Sequence, residues 1–338
     1  MSNLSIPYDK LLSTFEEILR RFNFTTEKSR ICAELFAGAS LDGVASHGAN
    51  RFPLFLEMIR DGYIVPDTEP VQTFKAGSFE RWDGKLGPGN VNAWYSMKRA
   101  IELAHQHGIG CIALGNTNHW MRGGSYGWQA ADAGMIGICF TNTKPNMPAW
   151  GSDEPKLGNN PLVIAVPRKD GPIVLDMAMS QFSYGKMETY QREKKQLPYD
   201  AGFDKEGNLT RDPSTIIENE LALPAGLWKG AGLSLVLDLI ASTLSDGKST
   251  YELGKEVVEF GLSQFFIVLN PDKLGVTKAA EQHINRVIED LKSSSSFNSA
   301  SVNYPGENTL EKRNHHLKHG VPVTREVWEK ILSYQKDP

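Results

Sequence analysis

The residues that could do chemistry in this chain are spread along it. Ser46, His47 and Arg51 stand close together, Asn118 and His119 follow, Asp176 ends an apolar run, and Trp228-Lys229 precede Gly230-x-Gly232 at a helix start. A histidine near the ordinary imidazole pKa of about 6.5 gives or takes a proton at neutral pH. A carboxylate can orient that ring, and an arginine can grip a substrate carboxylate through two parallel hydrogen bonds. A lysine, or backbone N–H groups at a helix N-terminus, would suit a phosphate. Each residue alone also has an ordinary reading, Arg51 as partner to a surface acid and His119 as a satisfied loop histidine.

Shorter patterns fail on context. Gly108-x-Gly110-x-x-Ala113 resembles a dinucleotide loop, but a helix precedes the glycines and a strand follows, the reverse of what that loop requires. Gly123-x-Ser125-x-Gly127 has the spacing of a nucleophile elbow, yet no strand ends directly before the serine, so Ser125 reads as a helix N-cap. Ser46 beside His47 is not a hydrolase signature, because adjacent side chains diverge on a strand and do not face each other on a helix. Tyr190-x-x-x-Lys194 lacks the glycine loop that would make it a dehydrogenase dyad. His105, His107, His315 and His316 lack carboxylates at ligand spacing, so no metal site is expected.

The elements that must position these residues follow from periodicity. Leu11, Leu12, Phe15, Ile18, Leu19 and Phe22 recur at helical spacing, and a second helix is expected over Glu27 to Leu41. Gly43 and Gly48 interrupt the pattern, which puts Ser46, His47 and Arg51 at a break between helices. Beyond about residue 70, short apolar strands at 111–114, 136–140, 162–166, 172–177 and 265–269 alternate with helices near 91–107, 125–133 and 230–244. This is an α/β pattern. Gly108 and Gly134 should cap helices, helical segments are expected near 277–292 and 324–335, and Ser293 to Ser296 read as a solvated connection.

Composition narrows the function classes. With 338 residues, 40% hydrophobic and 22% charged, the chain is long enough for about two cored units and too apolar to be disordered. A net charge of −4 with scattered Lys and Arg argues against a nucleic-acid partner. No apolar run reaches the roughly 18 residues of a membrane span, and MSNLSIPYDK has no signal-peptide pattern, so no membrane partner and a cytoplasmic location are expected. Three cysteines without a CxxC pair suit a reducing compartment.

Read together, SHGANRFP (46–53), NHWMRGGSYGWQAA (118–131), GNNPL (158–162), LDMAMSQFSYGKME (175–188) and LWKGAGLSLVLDLI (227–240) resemble the type 2 malate/L-lactate dehydrogenases, and among them the 2,3-diketo-L-gulonate reductases. The resemblance runs from about residue 8 to 270 in one register and is looser beyond. It implies a non-Rossmann NAD(P)-binding sheet domain and a largely helical domain built from both chain ends. The division expected is 1–70 for the helical segment, 71–250 for the cofactor-binding unit and 251–338 for a C-terminal return to the helical unit. It also implies a homodimer that reduces a small keto acid with NADH, or with NADPH in some relatives.

By the same resemblance His47 matches the proton donor, Ser46 and Asp176 its charge-relay partners, and Arg51 a substrate-carboxylate ligand; in some relatives the acid/base histidine corresponds to His119 instead. Thr143, the run Pro172, Ile173, Val174, Leu175, Asp176, Met177 and Ala178, the pair Trp228-Lys229, and Gly306, Glu307 and Asn308 fall where relatives contact the dinucleotide. The expected reaction is NADH-dependent reduction of 2,3-diketo-L-gulonate to 3-keto-L-gulonate. Malate, lactate and ureidoglycolate dehydrogenases and a cyclic-imine reductase are the alternatives within the superfamily. A serine hydrolase using Ser125 and a non-catalytic sugar-acid binding protein are those outside it.

Overall fold

The computed structural model describes residues 3–276, 279–295 and 301–336. In chain order the elements begin with β1 (Asn3–Ile6), α1 (Tyr8–Arg21), α2 (Thr26–Leu41), a 3-10 turn (Ala45–His47), α3 (Phe52–Arg60), β2 (Val71–Ala76), β3 (Phe79–Asp83), α4 (Gly89–His107) and β4 (Ile109–Thr117). Next come α5 (Gly124–Asp132), β5 (Ile136–Thr141), β6 (Met147–Pro148), β7 (Pro155–Leu157), β8 (Leu162–Val166), β9 (Ile173–Met177), α6 (Tyr184–Arg192), β10 (Gly202–Phe203), β11 (Leu209–Thr210) and α7 (Pro213–Asn219). The chain closes with α8 (Trp228–Ser245), α9 (Thr250–Leu253), β12 (Leu262–Leu269), α10 (Ala279–Ser293), α11 (Glu307–His319), β13 (Val321–Thr324) and α12 (Arg325–Ser333).

A seven-stranded sheet in the order β2-β3-β4-β12-β5-β8-β9 forms the centre. Only β3 and β4 run parallel; the other neighbours are antiparallel. This is an α/β fold without the doubly wound parallel sheet, which is the physical reason no glycine fingerprint follows a first strand. The central strands are apolar on both faces because both are covered. Phe266 and Val268 of β12, with Ile112 and Leu114 of β4, pack under α4 and α5, whereas Phe265 and Ala113 turn to the opposite core with Ala231, Leu237 and Ala241 of α8. Period-two alternation thus feeds two cores from one strand.

A third core joins the chain ends. Leu11, Phe15, Ile18 and Leu19 of α1 and Phe36 of α2 pack with Phe52 and Phe55 of α3 and with Val321, Val323, Trp328 and Ile331 near the C-terminus. β1 pairs antiparallel with β13, which ties the two ends directly. The 251–338 segment serves both units, because β12, the strand between β4 and β5, lies within it. Gly108 caps α4 with φ 86°, and the pattern at Gly108-x-Gly110 is the helix-to-strand passage into β4. Of the expected helix at 277–292, residues 277–278 lie outside the described residues, as does Ser296; Ser293 ends α10.

Candidate active site

His47 stands on the 3-10 turn that follows α2, and this turn is fastened to α2 by Ala49 N–H donating to Ser40 Oγ at 2.8 Å. Ser46 Oγ lies 3.1 Å from His47 Nδ1. That contact corrects the expectation that these neighbours diverge, since a tight 3-10 backbone lets a serine hydroxyl fold back onto the next ring. The loop after β4 brings His119 up to it, the two imidazoles stacking at 5.7 Å and 18°. Asn118 anchors that loop by donating to the carbonyls of Tyr63, Leu86 and Gly87. Met121 N–H donates to His119 Nδ1 at 3.0 Å, which fixes the neutral ring with its proton on Nε2.

Burial and nearby cations hold both rings neutral. The His47 imidazole is pushed down to about 4, first by desolvation and then by the charges of Arg51 and Arg122. His119 is likewise pushed well below the ordinary imidazole value, by desolvation, Arg51 and His47. Arg51, at the start of α3, lines the same cleft and makes no ion pair among the described residues. Arg122 is different. It is buried, Nη1 pairs with buried Asp42, and Asp42 is held in turn by Arg313 through bonds of 2.7 and 2.8 Å. Arg313 also lies over the Trp128 ring, so one carboxylate links α2, the loop after β4 and α11.

Asp176 opens onto the cleft from the end of β9, and its Oδ2 accepts Gly124 N–H at 2.8 Å. Crowding by the walls raises its carboxyl, while Arg122 and the Gly124 N–H oppose that rise. No hydrogen bond joins Asp176 to either histidine among the described residues, so of the expected three-membered relay the structure links Ser46 to His47 and leaves Asp176 apart on the same cleft. The N-terminus of α6 closes the other side. A Cβ on Gly185 would fall 2.6 Å from Ser46 Cβ, so only glycine lets α6 approach this closely.

The cleft holds about 680 Å³, on the scale of a dinucleotide with a small substrate. Of the residues expected to contact a dinucleotide, Thr143, Val174, Leu175, Asp176, Ala178 and Gly306 line it. Gly306 has φ 97° and packs its missing Cβ against Val174 N and Pro172 O, while Val174 N–H donates to Pro305 O at 2.9 Å. This cradle of backbone and small residues fits a nicotinamide dinucleotide. Pro172, Ile173, Met177, Glu307 and Asn308 are outside the lining, and Glu307 pairs with Lys292. Trp228 and Lys229 also fall outside it, exposed at the start of α8.

Some lining residues escaped the sequence. Glu259, Glu188, Tyr184, Asn146 and Asn159 all face the cleft. The one available signal for Glu259 was an acidic residue just ahead of the apolar run of β12. Ser125 lines a separate pocket of about 160 Å³ with Glu34, Asp42 and Arg313, and no histidine lines it to serve as the base of a serine hydrolase. Among the described residues no three of His, Cys, Asp and Glu gather as metal ligands would, and no helix is long and apolar enough to cross a membrane.

The sequence profile of the malate/L-lactate dehydrogenase family matches residues 6–332, nearly the whole chain. The chain belongs to the malate/L-lactate dehydrogenase family. It is therefore an oxidoreductase, and a dehydrogenase of this family implies a nicotinamide cofactor. It is 44% identical over 333 residues to the 2,3-diketo-L-gulonate reductase of Citrobacter koseri, covering 97% of this chain and 99% of that one. The reductase of the same name from Salmonella paratyphi B is 43% identical with equal coverage. Among solved structures, malate dehydrogenase from Entamoeba histolytica superposes with TM-score 0.95 at 26% identity, covering 100% of this chain and 99% of that one. Malate dehydrogenase from Pyrococcus horikoshii does so with TM-score 0.88 at 30% identity, covering 99% and 95%. Membership in the family agrees with the resemblance carried by the sequence motifs.

Proposed function

We propose that the chain reduces 2,3-diketo-L-gulonate to 3-keto-L-gulonate with NADH, His47 giving the proton. The observation that carries this reading is the grouping on one cleft of Ser46, His47, His119 and Arg51, which makes no ion pair among the described residues. Similarity to reductases of that name supports the choice of substrate. Arg51 would hold the substrate carboxylate and so bring the adjacent carbonyl to the histidines. The cofactor, when bound, supplies hydride to the carbonyl carbon.

As negative charge grows on the carbonyl oxygen, His47 gives up its proton; with Nδ1 taken by Ser46 Oγ, that proton leaves from Nε2. His119, its Nδ1 already accepting Met121 N–H, stays neutral and donates a hydrogen bond from Nε2 to the same oxygen. Asp176, which lines the same cleft, would offset the positive charge of the protonated His47. Thr143, Val174, Leu175, Asp176, Ala178 and Gly306, which line the cleft, would hold the dinucleotide.

We place the functional unit as a homodimer built on α8. Its outward face carries Leu233, Leu235, Val236, Leu239, Ile240 and Leu244, all exposed, a larger apolar stripe than a monomer leaves in water. Trp228 and Lys229 open that stripe and would lie at the interface. The test is an NADH fluorescence titration followed by a panel of keto acids. Stoichiometric NADH binding, with NADH consumed fastest on 2,3-diketo-L-gulonate, is expected. Faster turnover of pyruvate or oxaloacetate would overturn the substrate, and a tenfold preference for NADPH would overturn the cofactor.

A further inference from the structure

The charges on the cleft are unequal in a way that bears on substrate choice. Its cations among the described residues are Arg51 and Arg122, and its carboxylates are Asp176, Glu188 and Glu259. Arg122 is already committed to Asp42. Among the described residues of the cleft, Arg51 is the cation without a carboxylate partner of its own. Glu259 lines the cleft with Arg51, His47 and His119, and the next residue, Phe260, packs on Tyr63, whose carbonyl holds the Asn118 side chain beside His119, so Glu259 stands at the histidine end of the cleft, where the reacting carbonyl would sit.

Glu259 is held there by its backbone surroundings. Its Oε2 accepts Lys144 N–H at 2.9 Å. The Lys144 ammonium is turned away to the carbonyls of Glu256 and Val257 at 2.8 and 3.1 Å, so it forms no ion pair with Glu259. Oε1 has no hydrogen bond among the described residues. A desolvated carboxylate with a spare oxygen gains from donors and loses from another anion.

We propose that Glu259 is a specificity-determining residue. Its carboxylate accepts hydrogen bonds from hydroxyl groups on the tail of a 2-keto monocarboxylate and repels a second carboxylate, so that hydroxylated sugar acids are preferred over dicarboxylates such as oxaloacetate. This rests on the keto-acid reading above. Discrimination of this kind comes from the repulsive element as much as from the attractive one.

The experiment compares wild type, Glu259→Gln and Glu259→Asp by kcat/KM with NADH on 2,3-diketo-L-gulonate, pyruvate and oxaloacetate. In parallel, competition between oxamate and malonate is read by NADH fluorescence. The amide oxygen of Gln can still accept Lys144 N–H, so folding and NADH affinity should be kept. Glu259→Gln should raise the oxaloacetate-to-pyruvate ratio, and the malonate-to-oxamate affinity ratio, at least tenfold, and lower activity on diketogulonate. Glu259→Asp, which keeps the charge, should leave both ratios within about threefold of wild type. Unchanged ratios in Glu259→Gln, or a wild type that prefers oxaloacetate, would overturn the proposal. Were no keto acid reduced at all, the function reading would fail, while the malonate-to-oxamate ratio would still decide the role of Glu259.

Discussion

Proton donation by His47 has a quantitative consequence in the free protein. Desolvation, Arg51 and Arg122 push the imidazole down to about 4, so at pH 7 about one molecule in a thousand carries the proton. Relative to an ordinary imidazole at about 6.5, protonation is disfavoured by about 3 kcal/mol. If the protonated ring is the reactive form, kcat/KM for reduction should fall about tenfold per pH unit across pH 5 to 8. A substrate carboxylate on Arg51 cancels one of the three depressing influences, so the limb seen in kcat should lie at higher pH than the limb in kcat/KM. In the oxidative direction the neutral ring is the acceptor, and kcat/KM should be flat above about pH 5. Steady-state NADH assays at constant ionic strength supply both profiles, and NMR titration of the His47 ring supplies its pKa directly. In His47→Asn the reductive rate should drop by about 10²-fold or more and its pH limb should vanish. A His47 pKa at or above 6.5, or a limb that survives in His47→Asn and vanishes in His119→Asn, would refute the assignment.

The same depressed pKa links to stability: between pH 6.5 and 4 the unfolded chain binds a proton that the folded chain refuses, so stability falls as pH falls through this window. Chemical denaturation at pH 5 should find His47→Gln less acid-sensitive than wild type by about 1–2 kcal/mol, and equal sensitivity would contradict the burial argument. Asp42→Asn leaves Arg122 and Arg313 without their shared carboxylate, and urea unfolding should register a loss of about 3 kcal/mol; a loss under about 1 kcal/mol would mean the network contributes little. Gly185→Ala should displace Ser46 and lower kcat at least tenfold with little change in the unfolding midpoint, and normal turnover would show that α6 simply shifts. Glu substituted at both Leu235 and Leu239 should convert a dimer to a monomer in sedimentation velocity, whereas an unchanged sedimentation coefficient would move the interface elsewhere.

Much of this protein is determined locally and was legible in one dimension. The apolar spacing of Leu11, Phe15, Ile18 and Leu19 gives α1, the run of apolar residues before Leu269 gives β12, and Gly108 ends α4, because each depends on a short-range period or on a residue able to adopt positive φ. The break after α2 that carries His47, and the motifs that resemble the family, are equally local. What tertiary structure alone decided is which of these distant pieces meet and with what charge left over. Trp228 and Lys229 look like site residues in sequence and face outward in the single chain. Asp176 reaches the cleft but gives its Oδ2 to Gly124 rather than to a histidine. Arg122 is paired with Asp42 while Arg51 has no carboxylate partner among the described residues, and Glu259 is brought to the same cleft just ahead of a strand that inserts between β4 and β5. Residue type sets whether a group can bear charge. Whether that charge is spent on another residue or available to a substrate depends on long-range register and desolvation, which no local pattern encodes.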